Sequence, residues 1–254
     1  IAGVIPLNGV DKRHLSIFRE IWKDMESRGT DAAGLLWQTD DALRYVKAPT
    51  RASKLVDKIP TDFRILVGHT RQVSSGTAKN NENNHPVIDG PTAIIHNGSV
   101  HKKPTLQFVS PYADCVDTRL IVGEYNLFRK EHKTPLQAMR ETSQQLFGSM
   151  AFVLMENKSP IVLLGARTNE IHFAWSKELQ ALFFASTAKT LSTNVAEKRA
   201  FLAPWLFIRD KTYSDLTFDM DADYAWSWDL DQKAFVARTS IAVAYGTTDA
   251  ADPW

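Results

Sequence analysis

The sequence predicts an α+β fold, and three patterns carry that expectation. Short apolar runs with strand character open the chain and recur at Leu35 to Gln38, Ile65 to Val67 and Ala93 to Ile95. Two helical patterns follow in succession between Asp117 and Gly148. From Ala151 onward strands return, closely spaced and separated by turn signals. Strand runs interrupted by a helical pair point to sheets and helices packed as layers, and not to the alternating pattern of a parallel βαβ fold.

Residues 1 to 7, Ile-Ala-Gly-Val-Ile-Pro-Leu, read as a buried strand that begins without a leader. Asp11 then opens a helix in which Leu15, Phe18, Trp22 and Met25 recur at spacings of three and four, with Gly29 as its stop. The turn from Arg28 to Gly34 is built of small and charged residues, and its Arg/Asp pair serves either as a clamp or as support to a site. Residues 39 to 62 read as polar surface with a short helix near Ala52 to Lys58, and Lys102 to Pro111 as connecting chain. Asp117 is placed at the N-cap or first turn of a helix running to about Lys130, with Leu120, Ile121, Tyr125 and Phe128 on its apolar side. Thr134 and Pro135 begin a second helix, with Leu136, Met139 and Leu146 inward and Gly148 at its end. The strands Ala151 to Met155, Ile161 to Ala166, Ile171 to Ala174 and Leu182 to Ser186 then read as a meander. A short helix near Ala188 to Asn194 and strands near Trp205 to Arg209 and Lys233 to Ala244 complete the reading. With no long linker or repeat, one domain over 1–254 is the simplest account.

Bulk properties narrow the function classes. At 254 residues and 44% hydrophobic content, the chain can bury a large core. Thirty basic and 29 acidic residues, a net charge of +1, leave no basic stripe of the kind nucleic acid requires. A single cysteine, Cys115, precludes an internal disulfide, and no Cys/His cluster has zinc spacing, so a reducing, cytoplasmic setting with no metal or other cofactor is expected. No apolar run reaches the roughly 18 residues of a membrane span.

The most informative stretch runs from Val67 to Ser99. Two apolar strands each deliver polar groups: His69, Thr70, Arg71, Ser74 and Ser75 from the first, and His96, Asn97 and Gly98 from the second. A guanidinium can fork onto a carboxylate, and an amide beside a glycine backbone can donate to a developing oxyanion. The same residues also admit a plain reading. Asn97-Gly98 is a strong hairpin signal, and Asn81 to Asn84 with Pro86 reads equally as a solvated loop.

Taken in order, these blocks resemble the class II glutamine amidotransferases, whose catalytic domain is an N-terminal nucleophile hydrolase. Ile1-Ala2-Gly3-Val4 resembles that family's opening strand, and Arg28 to Gly34 its Arg-Gly-Tyr-Asp-Ser-X-Gly turn. His69 to Gly76 is similar to its His-Thr-Arg-Trp-Ala-Thr-His-Gly. Asn84-His85-Pro86, His96-Asn97-Gly98 and Asp117-Thr118 resemble its Asn-X-His-Pro, His-Asn-Gly and Asp-Thr. Weaker echoes occur at Gly148 to Leu154, Ala166-Arg167 and Phe184 to Ser186. The resemblance covers nearly residues 1 to 191 and implies a four-layer αββα sandwich that hydrolyses the side-chain amide of L-glutamine and releases ammonia to an acceptor.

Carried over by position, Arg71 binds the substrate carboxylate, Asp117 its ammonium and Ser74 lines the pocket. The Asn97 side chain and the Gly98 backbone form the oxyanion hole. Arg28 supports the terminal residue, and His69, His85 and His96 are structural partners, not metal ligands. The family's nucleophile is an amino-terminal cysteine followed by glycine, and Ile1 matches its third residue, so a Cys-Gly is expected just before Ile1. Cys115 lacks the terminal amine that would act as base, and Gln72 and Ser75 depart from the family's tryptophan and histidine. The other readings are an inactive glutamine-binding module and a structural or assembly protein using the tryptophan-rich stretch Trp205 to Trp254. The ammonia acceptor is not encoded here; a separate ammonia-accepting subunit or a homo-oligomer is the expected assembly, and residues 200–254 read as a C-terminal extension matching nothing in the family.

Overall fold

The computed structural model describes residues 1–74, 76–102, 116–195, 218–219 and 223–242. Two antiparallel sheets stack face to face. The first contains β1 (Ala2–Pro6), β2 (Ala32–Gln38), β3 (Leu43–Ala48), β4 (Ile65–Arg71), β9 (His172–Ser176), β10 (Ala181–Ala185) and β11 (Phe218–Asp219), in the order β11-β9-β10-β1-β4-β2-β3. The second contains β5 (Val87–Asp89), β6 (Thr92–Lys102), β7 (Leu146–Glu156), β8 (Ile161–Arg167), β12 (Tyr224–Asp229) and β13 (Ala234–Ser240), in the order β13-β12-β8-β7-β6-β5.

Helices cover both outer faces. On the first sheet lies α1 (Lys12–Asp24), whose Phe18, Ile21 and Trp22 pack on Ala2, Val4, Leu35 and Leu66. Asp11 caps it, accepting from the Arg13 N–H, in a capping box with His14 that satisfies two otherwise orphaned donors. On the second sheet α2 (Thr118–Lys130) and α3 (Pro135–Gln145) bury Ile121, Val122, Tyr125 and Met139 against Ile94, Phe152 and Leu154. Between the sheets, Val67, Ile95, Val153 and Leu164 meet Phe184 and a cluster in which Phe235 sits edge-on to Trp228 at 4.9 Å and to Phe173 at 5.9 Å. Four layers, αββα, result. Among the described residues no helix is long and apolar enough to cross a membrane.

Several boundaries differ from the sequence reading. A strand, β3, lies within residues 39 to 62, because its partly exposed side chains give no apolar signal. Helix α3 ends at Gln145, and the chain passes straight into β7, so Gly148 lies inside a strand. The four strands after Ala151 are not one meander: β7 and β8 belong to the second sheet, β9 and β10 to the first, and the chain crosses over after Arg167. Trp226 and Trp228 lie on a strand, β12, paired with β8 and β13. The strand expected near Trp205 to Arg209, the connecting chain after Lys102, Ser75, Cys115 and Trp254 fall outside the described residues.

Candidate active site

Period-2 alternation explains how the two sheets build one cleft. Along β4, Ile65 and Val67 face the second sheet while Leu66 faces α1. The same alternation sends His69 and Arg71 toward the second sheet and Thr70 toward the helix layer, where its hydroxyl donates to Met25 O at 2.7 Å. Along β6, Ala93 and Ile95 face the first sheet and Ile94 faces α2 and α3. Asn97 therefore points at β4 and His96 at the helices. His69 Nε2 and Asn97 Oδ1 meet across the gap at 2.9 Å.

Around this contact lies a cavity of about 270 Å³, open to solvent. Its wall includes every site residue expected from the sequence: Arg28, His69, Arg71, Ser74, His85, His96, Asn97, Gly98 and Asp117. The Asn97-Gly98 pair forms no hairpin turn, since both residues sit in the middle of β6 opposite β7. Gly98 has φ +133°, and a Cβ there would stand 2.2 Å from the Ser149 carbonyl oxygen. Only glycine fits this approach of β6 to β7.

Arg71 Nη1 donates to the buried Asn84 Oδ1 at 3.0 Å. Burial lowers the Arg71 guanidinium from its usual value, and Asp117 and Asp31 act in the opposite direction. Asp117 caps α2, accepting from the Thr118 N–H at 2.9 Å, while its other oxygen accepts from the Val100 N–H at 3.0 Å. Asp31, from the Arg28 to Gly34 turn, accepts from the Val73 N–H at 2.8 Å and so clamps the segment after β4.

Within the wall three histidines form a buried cluster of tilted rings. The rings of His69 and His85 lie 4.2 Å apart, and His85 Nε2 and His96 Nδ1 share the Thr118 hydroxyl at 3.0 and 3.1 Å. Burial pushes His69 and His85 well below the ordinary histidine value, and lowers His96 against the opposing pull of Asp117. Neutral imidazoles result. Among the described residues no group of His, Cys, Asp or Glu has the arrangement to hold a metal ion.

Two contacts of Asn97 were not assigned from the sequence, although Ser186 stands in the family-like block Phe184 to Ser186. Ser186 Oγ accepts from Asn97 Nδ2 at 2.8 Å and from the Ile1 nitrogen at 3.0 Å, joining the start of β1 to the second sheet. Asn169 Nδ2 donates to Asn97 O at 3.2 Å from the crossover between the sheets. A polar residue directly after the apolar run Leu182 to Ala185 is the signal that marks Ser186, the same pattern that marks His69.

This sandwich is the fold of the class II, N-terminal nucleophile glutamine amidotransferases, and the chain resembles them in sequence as well. The glutamine–fructose-6-phosphate aminotransferase of Listeria innocua is 31% identical over 167 residues, 58% of this chain and 27% of that protein. The chain thus spans about a quarter of the length of that curated relative. Among solved structures, the glutamine phosphoribosylpyrophosphate amidotransferase of B. subtilis matches with a TM-score of 0.65 at 14% identity, over 95% of this chain and 49% of that one. A structure described as a predicted glutamine amidotransferase from Pseudomonas aeruginosa matches with a TM-score of 0.50 at 11% identity, over 93% and 95%. At such identities the structures speak for the fold alone. No family model matches the chain.

Proposed function

We propose that this domain hydrolyses the side-chain amide of L-glutamine to glutamate and ammonia, and that the ammonia passes to an acceptor in another subunit or another part of the protein. The observation that carries the reading is the single cavity that gathers Arg71, Asp117, Asn97 and Gly98 beside the start of β1. Ile1 itself lines that cavity, so two residues preceding it start within it and reach at most about 7 Å.

In this reading Arg71 forks onto the substrate carboxylate and Asp117 takes the ammonium, so opposite charges fix a zwitterion in one orientation. A cysteine two positions before Ile1 supplies the thiolate, its own α-amine accepting the thiol proton. The sulfur attacks the amide carbon, and the oxyanion that forms is received by Asn97 Nδ2 and the Gly98 N–H. Collapse expels ammonia, which takes up the proton held by the amine, and leaves a γ-glutamyl thioester. Water then attacks the thioester to give glutamate and return the thiol. We place the protein in the cytoplasm, with L-glutamine as its ligand and neither nucleic acid nor membrane as partner.

N-terminal sequencing and intact mass of the native protein, followed by an ammonia-release assay on L-glutamine, test the proposal. A Cys-Gly ahead of Ile1 and ammonia release that is lost on replacing that cysteine by serine are expected. A native chain without that cysteine, or glutamine binding without ammonia release, overturns it in favour of a binding module.

A further inference from the structure

The side-chain amide of Asn97 has two orientations of nearly identical shape, and only one presents its NH2 group to Ser186, beside the cavity that Asn97 lines. In the observed orientation Nδ2 donates to Ser186 Oγ at 2.8 Å and Oδ1 lies 2.9 Å from His69 Nε2. An amide oxygen only accepts, so His69 must carry its proton on Nε2. His69 Nδ1 is then a bare acceptor, and among the described residues it has no hydrogen-bond partner. The flipped amide would turn an NH2 toward Nε2 and move the imidazole proton to Nδ1. That exchange would bury an unpaired N–H, and orphaned donors are rarer in folded proteins than under-satisfied acceptors.

From this geometry we propose that His69 is the positioning residue of the site: its Nε2–H locks the Asn97 amide with NH2 toward the cavity. The lock is steric as well as polar. The His69 ring is held against His85 at 4.2 Å, and the β4 carbonyl of His69 itself accepts from Trp22 Nε1 at 3.2 Å, so ring and backbone are fixed from two layers. Burial first, then the Ile1 nitrogen, His96 and Arg71, keeps the imidazole neutral, as a single-tautomer donor requires. The groups near it are Asn97 and His96 on β6, His85 before β5, the Ile1 nitrogen at the head of β1, and Arg71 on its own strand.

The inference rests on the oxyanion role proposed for Asn97, and two readouts separate the failure of one from the failure of the other. The first is the tautomer of His69 by 15N NMR on histidine-labelled full-length protein, which needs no activity. A neutral ring protonated at Nε2 is expected, and a proton on Nδ1 overturns the lock whether or not the protein releases ammonia. The second is steady-state glutamine hydrolysis by His69→Phe, which keeps a ring against His85 and removes the donor, and by His69→Gln, which restores an N–H. Full loss of one oxyanion donor costs about 100- to 1,000-fold in kcat, so a freed amide that spends part of its time reversed should cost about 10- to 100-fold, with KM changed less than about twofold. His69→Gln should recover most of that loss. Equal defects in both variants, or a KM that rises in step with the fall in kcat, would mark His69 as merely structural and refute the proposal.

Discussion

Replacing Gly98 by alanine should cost far more than replacing Gly90, although both have positive φ. Gly90, with φ +57° between β5 and β6, has open space where a Cβ would stand. Its substitution bears the left-handed penalty of about 1–2 kcal/mol, offset by about 0.4–1 kcal/mol from the stiffer unfolded chain, which leaves about 1 kcal/mol. Gly98 has φ +133°, outside the left-handed helical well, and its Cβ would sit 2.2 Å from the Ser149 carbonyl oxygen and 2.8 Å from the Ser149 carbonyl carbon. Those are backbone atoms in the β6–β7 ladder, so relief requires prising two long strands apart. Backbone strain of about 1–3 kcal/mol adds to an overpacking cost of about 1–3 kcal/mol, for a total near 4 kcal/mol. At about 2–4 °C per kcal/mol for a chain of this size, Gly90→Ala should lower Tm by about 2–4 °C and Gly98→Ala by about 8–16 °C. Thermal unfolding followed by circular dichroism, or by calorimetry where unfolding is reversible, measures both. Melting temperatures within 2 °C of each other would refute the argument that the approach to Ser149 is what requires glycine at this position.

Other perturbations probe the remaining parts. Arg71→Lys replaces a planar fork with a point charge and gives up the Asn84 contact, so KM for glutamine should rise about 10- to 100-fold with a smaller fall in kcat, read by steady-state kinetics. Asp11→Ala removes the cap of α1 and should cost about 1 kcal/mol, a loss that equilibrium urea unfolding resolves without any change in glutamine hydrolysis. The buried histidines make stability depend on pH. Below 6.5 the unfolded chain takes up protons that His69 and His85 refuse in the fold, so stability is full above 6.5 and falls as pH drops toward their lowered folded values. Each contributes a slope of at most about 1.4 kcal/mol per pH unit, and His85→Gln should flatten the profile between pH 6.5 and 5.

What the sequence discloses depends on whether a segment carries its own periodicity. Helix α1 was legible because Phe18 and Trp22 recur with its period and Asp11 caps it, although it ends at Asp24 and Gly29 instead closes the 3-10 turn Met25–Arg28 that follows. The cavity wall was legible because polar residues stand at the ends of apolar runs, where alternation alone decides which face each side chain takes. The crossing between sheets after Arg167 was not, since strands β7 to β10 look alike and only long-range pairing assigns each to its sheet. The edge strand β3 escaped for a different reason: half-exposed and paired on one side only, it needs no apolar stripe. Asn169 escaped because a single polar residue after a strand acquires meaning only when a strand 72 positions away is brought against it, whereas Ser186 stands at the end of an apolar run within a family-like block.

Strand β1 behaves as a ruler. It is clamped between β10 and β4, with Ile1 and Ile5 turned to the second sheet and Ala2 and Val4 to α1. Removing or inserting one residue would exchange those two sets of side chains and displace whatever precedes Ile1 by about 3.3 Å along the strand. The length of this five-residue segment should consequently be far less negotiable than its composition. Valine, isoleucine or leucine can trade places along its inward rows, whereas a change in count would set the head of the strand out of step with the cavity it serves.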